Sequence, residues 1–319
     1  MTTSCILCGN TENNQLYQVK ELQMGLDEYF DYQLCGACNS MQLQNVPTDL
    51  GRYYPNEDYY SFKHGMQVRK ADTLRRIKTE YLLFGRNRLA GSLLSIGYRL
   101  PEELQWMKDL HAQYNDKILD IGTGNGSLLM RLLQVGFTNL TGIDPFINES
   151  QDHGPVRILK KDIYQLDEQF DIVMMHHSLE HMFEPQKVMA QAIKILKPGG
   201  RLMVRVPVMG HYGWQQYGVH WGGIDGPRHI FIPSEKQLKS LGENTGFMIE
   251  KFYYDSPVSM IWMSEQHKHG MHLYHPDSYI FRSANGMFAR KDIKKFRATL
   301  DEENRKGNGD TAVMVLRKP

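Results

Sequence analysis

Hydrophobic and polar positions alternate regularly from residue 116 onward. Short apolar runs at Ile118–Ile121, Leu140–Ile143, Val156–Leu159, 170–175 and 201–206 have the length and bounding turns of buried strands. Helical spacing fills the gaps. Leu128, Leu129, Leu132 and Leu133 make one buried side after the first run. Val188, Met189, Ala192, Ile193 and Leu196 make another, opened by Pro185 and stopped by Lys197-Pro198-Gly199-Gly200. A further helix starts at Pro233, with Ser234 and Gln237 spaced as a capping box. Strands alternating with helices predict an α/β domain, a parallel sheet covered on both faces. Upstream, Leu74, Ile77 and Tyr81 predict a helix over 68–83, and Pro101 opens a second over 101–111.

The first run ends in a glycine turn, Gly122, Gly124 and Gly126, with Thr123 between the first two. Glycine permits positive φ and lets a ligand lie against the backbone. A strand, a glycine loop and a helix make a nucleotide-type cofactor site at the carboxyl ends of strands. Charge decides which cofactor. A dinucleotide loop directs N–H groups and a helix N-terminus at a pyrophosphate. Here the spacing is Gly-x-Gly-x-Gly, and Asp120 two residues earlier would repel a pyrophosphate. It would welcome a cation, such as the amino group of S-adenosylmethionine. Asp144 closes the second run, where a carboxylate accepts hydrogen bonds from ribose hydroxyls. Asp162 follows the third run, where it is either an ordinary surface Asp or a partner for an adenine amino group.

Composition narrows the class. The chain has 319 residues, 41% hydrophobic and 23% charged, and a net charge of +1. It has room for about two domains and no global pull toward nucleic acid or membrane. The N-terminus lacks the basic and long apolar segments of a signal peptide, and no run reaches the ~20 apolar residues that span a bilayer. The expected location is the cytoplasm, where thiols stay reduced. All four cysteines stand at the front, as Cys5-x-x-Cys8 and Cys35-x-x-Cys38. Two such knuckles present four thiolates to one tetrahedral zinc. A closed sphere of four thiolates is structural and does not activate water. The predicted division is a zinc-binding module at 1–46, an aromatic loop and helical linker or cap at 47–115, and a cofactor-binding domain at 116–319. Tyr53, Tyr54, Tyr59, Tyr60 and Phe62 could line an acceptor pocket or pack between domains. Arg69, Lys70, Arg75, Arg76, Lys78, Arg86, Arg88 and Arg99 make the linker basic, either as a solvated face or as a contact for an anionic acceptor.

The segments ILDIGTGNGSLL (118–129), TGIDP (141–145), KKDIYQL (160–166), FDIVMMHHSLEHM (170–182) and LKPGGRL (196–202) resemble the class I S-adenosylmethionine-dependent methyltransferases, in order and spacing. The resemblance covers 117–206. It implies a Rossmann-like seven-stranded sheet with helices on both faces. The last, antiparallel strand would be at 311–316 and the one before it at 247–254. It implies that Asp120 and the loop from Gly122 to Gly126 hold the methionine end, and that Asp144, with Pro145 beside it, holds the ribose. Asp162 with Ile163 would hold the adenine, and His176 and His177 would floor the site near the sulfonium.

Two insertions complete the domain, at 207–233 and 255–309. The first crowds His211, Tyr212, Trp214, Tyr217, His220, Trp221, Asp225, Arg228 and His229 into a loop after the fifth strand, which should hang over the cofactor site. The second is expected to form a lid or an extra subdomain between the last two strands, ending in a polar surface turn at 301–310. Its His267, His269, His272 and His275 invite a metal reading, but Glu265 is the only acidic residue at a matching position.

The whole layout, with a zinc-ribbon-like module in front, is similar to the sugar methyltransferases of nucleotide-linked sugars. Their pattern ends in His-Glu-His before an aromatic residue. Here it reads Pro227-Arg228-His229-Ile230-Phe231, which keeps the second His, the usual base, as His229. The loss of the other two favours O- or N-methylation over C-methylation. His229 is the first candidate for the base, followed by His181 or Glu180 with it. The expected acceptor is a small molecule, a sugar, nucleotide-sugar or glycan-related metabolite. An RNA methyltransferase that grips nucleic acid through the zinc module is the alternative, as is a non-catalytic zinc scaffold. Residues 1–50 oppose the RNA reading, with Lys20 against Glu12, Glu21, Asp27, Glu28, Asp31 and Asp49.

Overall fold

The computed structural model describes residues 4–54, 72–98, 100–282 and 286–319. Tyr59, Tyr60, Phe62, Arg69, Lys70 and Arg99 lie outside the described residues, as does the start of the helix expected over 68–83.

Twelve strands among the described residues form two sheets. Strands β1 (Gln15–Lys20), β2 (Tyr29–Leu34) and β3 (Met41–Leu43) come from the N-terminal segment. Strands β4 (Ile118–Ile121), β5 (Leu140–Ile143), β6 (Gln151–Asp152), β7 (Val156–Leu159), β8 (Phe170–His176) and β9 (Leu196–Pro207) follow. Then come β10 (Phe231–Ile232), β11 (Met248–Tyr254) and β12 (Thr311–Arg317). The large sheet has the order β11-β12-β9-β8-β4-β5-β7-β6. Strands β7, β5, β4, β8 and β9 are parallel neighbours, and β12 pairs antiparallel with both β9 and β11.

The sheet has eight strands where seven were expected. The additional one, β6, is a two-residue edge strand. The Asp152 carboxylate takes the Gly154 N–H at 2.8 Å, and that tight turn folds the chain back onto β7.

Period-2 alternation sends each strand's side chains to two faces. On β8, Val173 and Met175 join a core with Val188, Met189 and Ala192 of helix α5 (Pro185–Ile195) and Leu238 and Leu241 of α7 (Glu235–Asn244). Ile172 and Met174 face the other way. They pack with Leu104 and Met107 of α3 (Glu102–Asp109) and Leu129 and Leu132 of α4 (Ser127–Gln134). Before α3 lie α1 (Thr73–Phe84), capped by Asp72, and α2 (Arg88–Leu94). After β9 come α6 (Tyr212–Tyr217), and between the last two large-sheet strands α8 (Ser259–Lys268) and α9 (Arg290–Lys306). No helix among the described residues is long and apolar enough to cross a membrane.

The small sheet is antiparallel, in the order β1-β2-β3-β10. Its fourth strand comes from the 207–233 insertion, with Phe231 opposite Gln42 and Ile232 opposite Met41. Val19, Tyr32, Met41 and Phe231 share one continuous core with the large sheet. The second insertion also reaches this sheet's end, where Leu273 and Tyr274 donate backbone N–H groups to the carbonyls of Leu22 and Gln23. The surface turn expected at 301–310 is instead the last turns of α9, ended by Gly307. Asp310 is buried, accepting the Trp221 indole N–H at 2.8 Å.

Candidate functional site

Chain direction places the site. Strands β4, β5 and β8 are parallel and all end at one edge, so the turns that follow them meet there. After β4, Gly122, Gly124 and Gly126 adopt φ of 76°, 53° and 72°. Gly122 also sits under Ser178, whose Cβ is 2.5 Å from where a Cβ on residue 122 would lie. Its N–H and that of Thr123 bond the Ile143 carbonyl, which ties the loop to β5. Asp144 fastens the same loop, accepting the Gly124 N–H at 3.0 Å and the Phe146 N–H at 2.9 Å.

A cavity of 360 Å³ opens against this loop. Of the expected cofactor residues, Gly122, Gly124, Asp144, Pro145, Asp162, Ile163 and His177 line it. Asp120 lies at the end of β4, buried, and its carboxyl is pushed up to about 7 by burial and by the nearby Asp144. Burial also raises Asp144, against the two N–H groups that it accepts. Asp162 caps a short 3₁₀ turn at Ile163–Gln165, its Oδ1 taking the N–H groups of Tyr164 and Gln165. Gly126 caps α4 through its left-handed φ.

His176 and His177 separate. His177 takes a left-handed backbone, φ 51°, and turns toward the cavity. His176 is not among the cavity-lining residues. It lies 4.3 Å from the Trp106 ring centroid, and burial holds its imidazole well below the usual range. Of the two histidines expected at the floor, His177 lines the cavity and His176 is packed behind it.

Behind the cavity wall lies a buried polar cluster. Arg205 can only donate, so the His177 Nε2 that it meets is an acceptor, and His177 Nδ1 carries the proton that bonds Glu180 Oε1 at 3.2 Å. Arg205 is held in turn by Asp255 at 2.8 and 3.0 Å. Glu180 is fully buried. Burial pushes its carboxyl up, but the His177 hydrogen bond and the neighbouring imidazoles outweigh that and hold it below the usual range. His181 lines the cavity; its Nδ1 lies 2.9 Å from the Arg228 carbonyl and 3.1 Å from the Tyr54 hydroxyl. His229 packs edge-on against His181, ring centroids 4.7 Å apart, and is not a cavity-lining residue. Burial and the repulsion of His181 lower its imidazole to about 4. The structure thus brings Glu180, His181 and His229 together and turns His181 to the cavity.

Three features were not anticipated. Phe146, exposed just after Asp144-Pro145, stacks on Tyr54 at 5.2 Å and 6° to make a cavity wall. An exposed aromatic immediately beyond the ribose carboxylate was the available signal. The Arg205–Asp255 pair had none, since its members are fifty residues apart. Nor had Arg228, which is fully buried and pairs with Glu21 and Asp225. Glu21 also accepts backbone N–H groups from Gln23, Met24, Gly25 and Leu26.

The four cysteines converge away from the cavity, their sulfurs within 4.8 Å of one another. Cys5 and Cys38, and Cys8 and Cys35, are 3.6 Å apart at Sγ. A tetrahedron of ~2.3 Å metal–sulfur bonds has edges of about 3.8 Å, whereas a disulfide needs ~2.05 Å. The knuckles turn through Gly9 at φ 76° and Asn39 at φ 58°. Gly36 is needed for space, since a Cβ there would stand 2.3 Å from the Asn13 carbonyl oxygen.

A family model described as a methyltransferase domain matches residues 63–251, and the chain belongs to that family. It is 34% identical over 119 residues to the 27-O-demethylrifamycin SV methyltransferase of Amycolatopsis mediterranei, covering 33% of this chain and 42% of that protein. It is 29% identical over 114 residues to the ubiquinone biosynthesis O-methyltransferase of Pseudomonas fluorescens, covering 32% and 49%. The chain thus spans less than half the length of these curated relatives. Among solved structures, the cyclopropane synthase MmaA2 from Mycobacterium tuberculosis is 16% identical, over 78% of this chain and 99% of that one. Its TM-score of 0.46 marks a loose likeness.

Proposed function

We propose that the chain transfers a methyl group from S-adenosylmethionine to a hydroxyl or amine of a small acceptor, with a sugar, nucleotide-sugar or glycan-related metabolite as the preferred class. One observation supports this above the others. Asp120 is a buried carboxylate at the foot of a glycine loop, raised to about 7 because burial outweighs the Thr123 hydroxyl and the Arg131 charge, and an adjacent cation would offset that cost. The cofactor's ammonium group is such a cation. Asp144 and Asp162 then meet the ribose and the adenine from the cavity wall. When bound, the cofactor supplies an electrophilic methyl on a sulfonium and leaves as a neutral thioether. The residues of the chain align the acceptor, exclude water and take its proton. Alignment supplies about 7–11 kcal/mol in favourable cases. Tyr54 and Phe146 wall off solvent, and the proton departs toward the Glu180–His181–His229 cluster. Names of the relatives that specify O-methylation support an oxygen acceptor.

The test is calorimetry with S-adenosylhomocysteine and S-adenosylmethionine. Asp120 is raised, so it is protonated below about pH 7 and ionised above it. Only the ionised form pairs with ammonium, so affinity should rise as pH climbs through that value. Asp120→Asn should weaken binding roughly 10–100-fold, the worth of about 1.5–3 kcal/mol for a charged hydrogen bond. Equal affinity in the variant at every pH would sink the reading, and absence of any binding would leave a zinc scaffold.

Turnover gives a second check. With an acceptor found by screening sugars and nucleotide-sugars against labelled cofactor, His181→Ala and His229→Ala should each lower kcat by about 10²–10⁴-fold. Cofactor affinity should be unchanged. Wild-type turnover in both would remove the cluster from the mechanism.

The four-cysteine cluster is proposed to hold a structural zinc, on the strength of its sulfur spacing. The RNA alternative is opposed by the acidic excess of residues 1–50. Salt-dependent RNA retention on filters would revive it.

A further inference from the structure

Three side chains with metal-ligating atoms converge just behind the cavity wall. Glu180, His181 and His229 each offer one ligand atom, and these lie within 4.8 Å of one another. Glu180 Oε1 takes the His177 proton, but its buried Oε2 has no hydrogen-bond partner. His229 Nδ1 is 2.9 Å from the Gly223 carbonyl, and His181 Nδ1 is 2.9 Å from the Arg228 carbonyl. A carbonyl only accepts, so in each neutral ring Nδ1 carries the proton and Nε2 is left as a bare lone pair. His229 Nε2 faces carboxylates, Glu180 Oε1 at 3.8 Å and Asp225 Oδ2 at 3.9 Å. A nitrogen lone pair that faces carboxylate oxygens in a buried space is repelled unless a cation stands between them. Backbone carbonyls on the far nitrogen of each ring are also what orients metal-ligating histidines.

We propose that Glu180, His181 and His229 form a site for a divalent transition-metal ion of the zinc or manganese class, separate from the four-cysteine cluster. Two imidazoles and a carboxylate suit such an ion better than calcium or magnesium, which take oxygen ligands. The centre of a triangle with sides of 4.8 Å is about 2.8 Å from each corner. Bonds of ~2.1 Å therefore require each ligand atom to move in by less than about 1 Å. The proposal rests on the transfer reading above and deepens it. His181 belongs to the cavity wall, so an acceptor hydroxyl can take an open position on the ion, where it loses its proton more readily. In the transfer that follows, the oxygen–methyl bond forms as the sulfur–methyl bond breaks. The electron pair of the broken bond stays on sulfur. The hydroxyl gives up its proton on binding the ion, to the water that it displaces, before Tyr54 and Phe146 close off solvent, so the cluster acts on that proton through the ion rather than as its final acceptor.

The full chain, purified with its cysteine cluster filled, is titrated with Co²⁺ while total zinc and cobalt are measured. The expected result is a second equivalent of metal per chain, any cobalt in it showing d–d absorption without a thiolate-to-cobalt band. That equivalent should be lost in Glu180→Gln and in His229→Gln. Total metal that stays at one equivalent in the wild-type chain overturns the proposal, whether or not the variants fold. So does a second equivalent retained by both variants. Calorimetry with S-adenosylhomocysteine on the same samples separates the two readings, since cofactor binding without a second ion refutes the ion site alone.

Discussion

Cys35→Ser is expected to release the ion proposed for the four-cysteine cluster and to unfold the knuckle end of the N-terminal sheet. Structural zinc in small modules contributes about 10–16 kcal/mol of apparent binding free energy, and in such modules that is folding free energy. The knuckle end of this sheet has little else. Its own cluster is Cys5, Cys35 and Cys38, with Leu7 packed beside them. The effect should then reach the cavity, though no cysteine lines it. Strand β3 pairs with β10, and the Tyr32 hydroxyl donates to the His229 carbonyl at 2.8 Å. Loosening that end therefore slackens the β3–β10 edge and the Tyr32 bond that hold His229 and the wall behind His181. Metal analysis, a thermal melt and methyl-transfer assays on Cys35→Ser measure the three steps. A zinc-free variant with an unaltered melt and full transfer would refute the chain of effects.

Arg228→Ala is expected to destabilise the fold by about 3–5 kcal/mol, because removing one member of a buried ion pair strands the other. Arg228 and Glu21 are both fully buried, and their pairing joins the insertion to the end of β1. The Asp225 carboxyl is held well below the usual carboxylate range: burial opposes ionisation, and the Arg228 guanidinium outweighs it. Without that guanidinium, Glu21 is left as a buried charge, with the partly exposed Asp225 carboxylate beside it. Urea unfolding of Arg228→Ala and of Arg228→Ala/Glu21→Gln measures the effect, and the second substitution should recover part of the loss. A single variant within about 0.5 kcal/mol of wild type would show that the pair is not structural.

Arg228 also shows where the sequence stops being legible. As a departure from a His-Glu-His pattern it read as a statement about chemistry. Its partner Glu21 lies more than two hundred residues away, and no local pattern announces such a pair. The strands β4, β5, β7, β8 and β9 were legible, because burial on both faces of a parallel sheet leaves uninterrupted apolar runs. Strand β6 was not, since two exposed polar residues have no periodicity. The loop glycines and Asp120 were legible because positive φ and a lone carboxylate in an apolar run each restrict what can stand there. The separation of His176 from His177 was not. It turns on one left-handed backbone angle at a non-glycine residue. His229 was singled out by its setting, but its depth behind His181 depends on how two insertions and a sheet pack.

The pairing of β3 with β10 sets a timetable for the chain as it is made. Met41 emerges from the ribosome about 190 residues before its partner Ile232. At about 5–20 residues per second, the edge of the first sheet waits about 10–40 s for its closing strand. During that interval it offers unpaired N–H and carbonyl groups to any neighbour. A nascent chain stalled before residue 231 should therefore be the species that chaperones hold and that aggregates first.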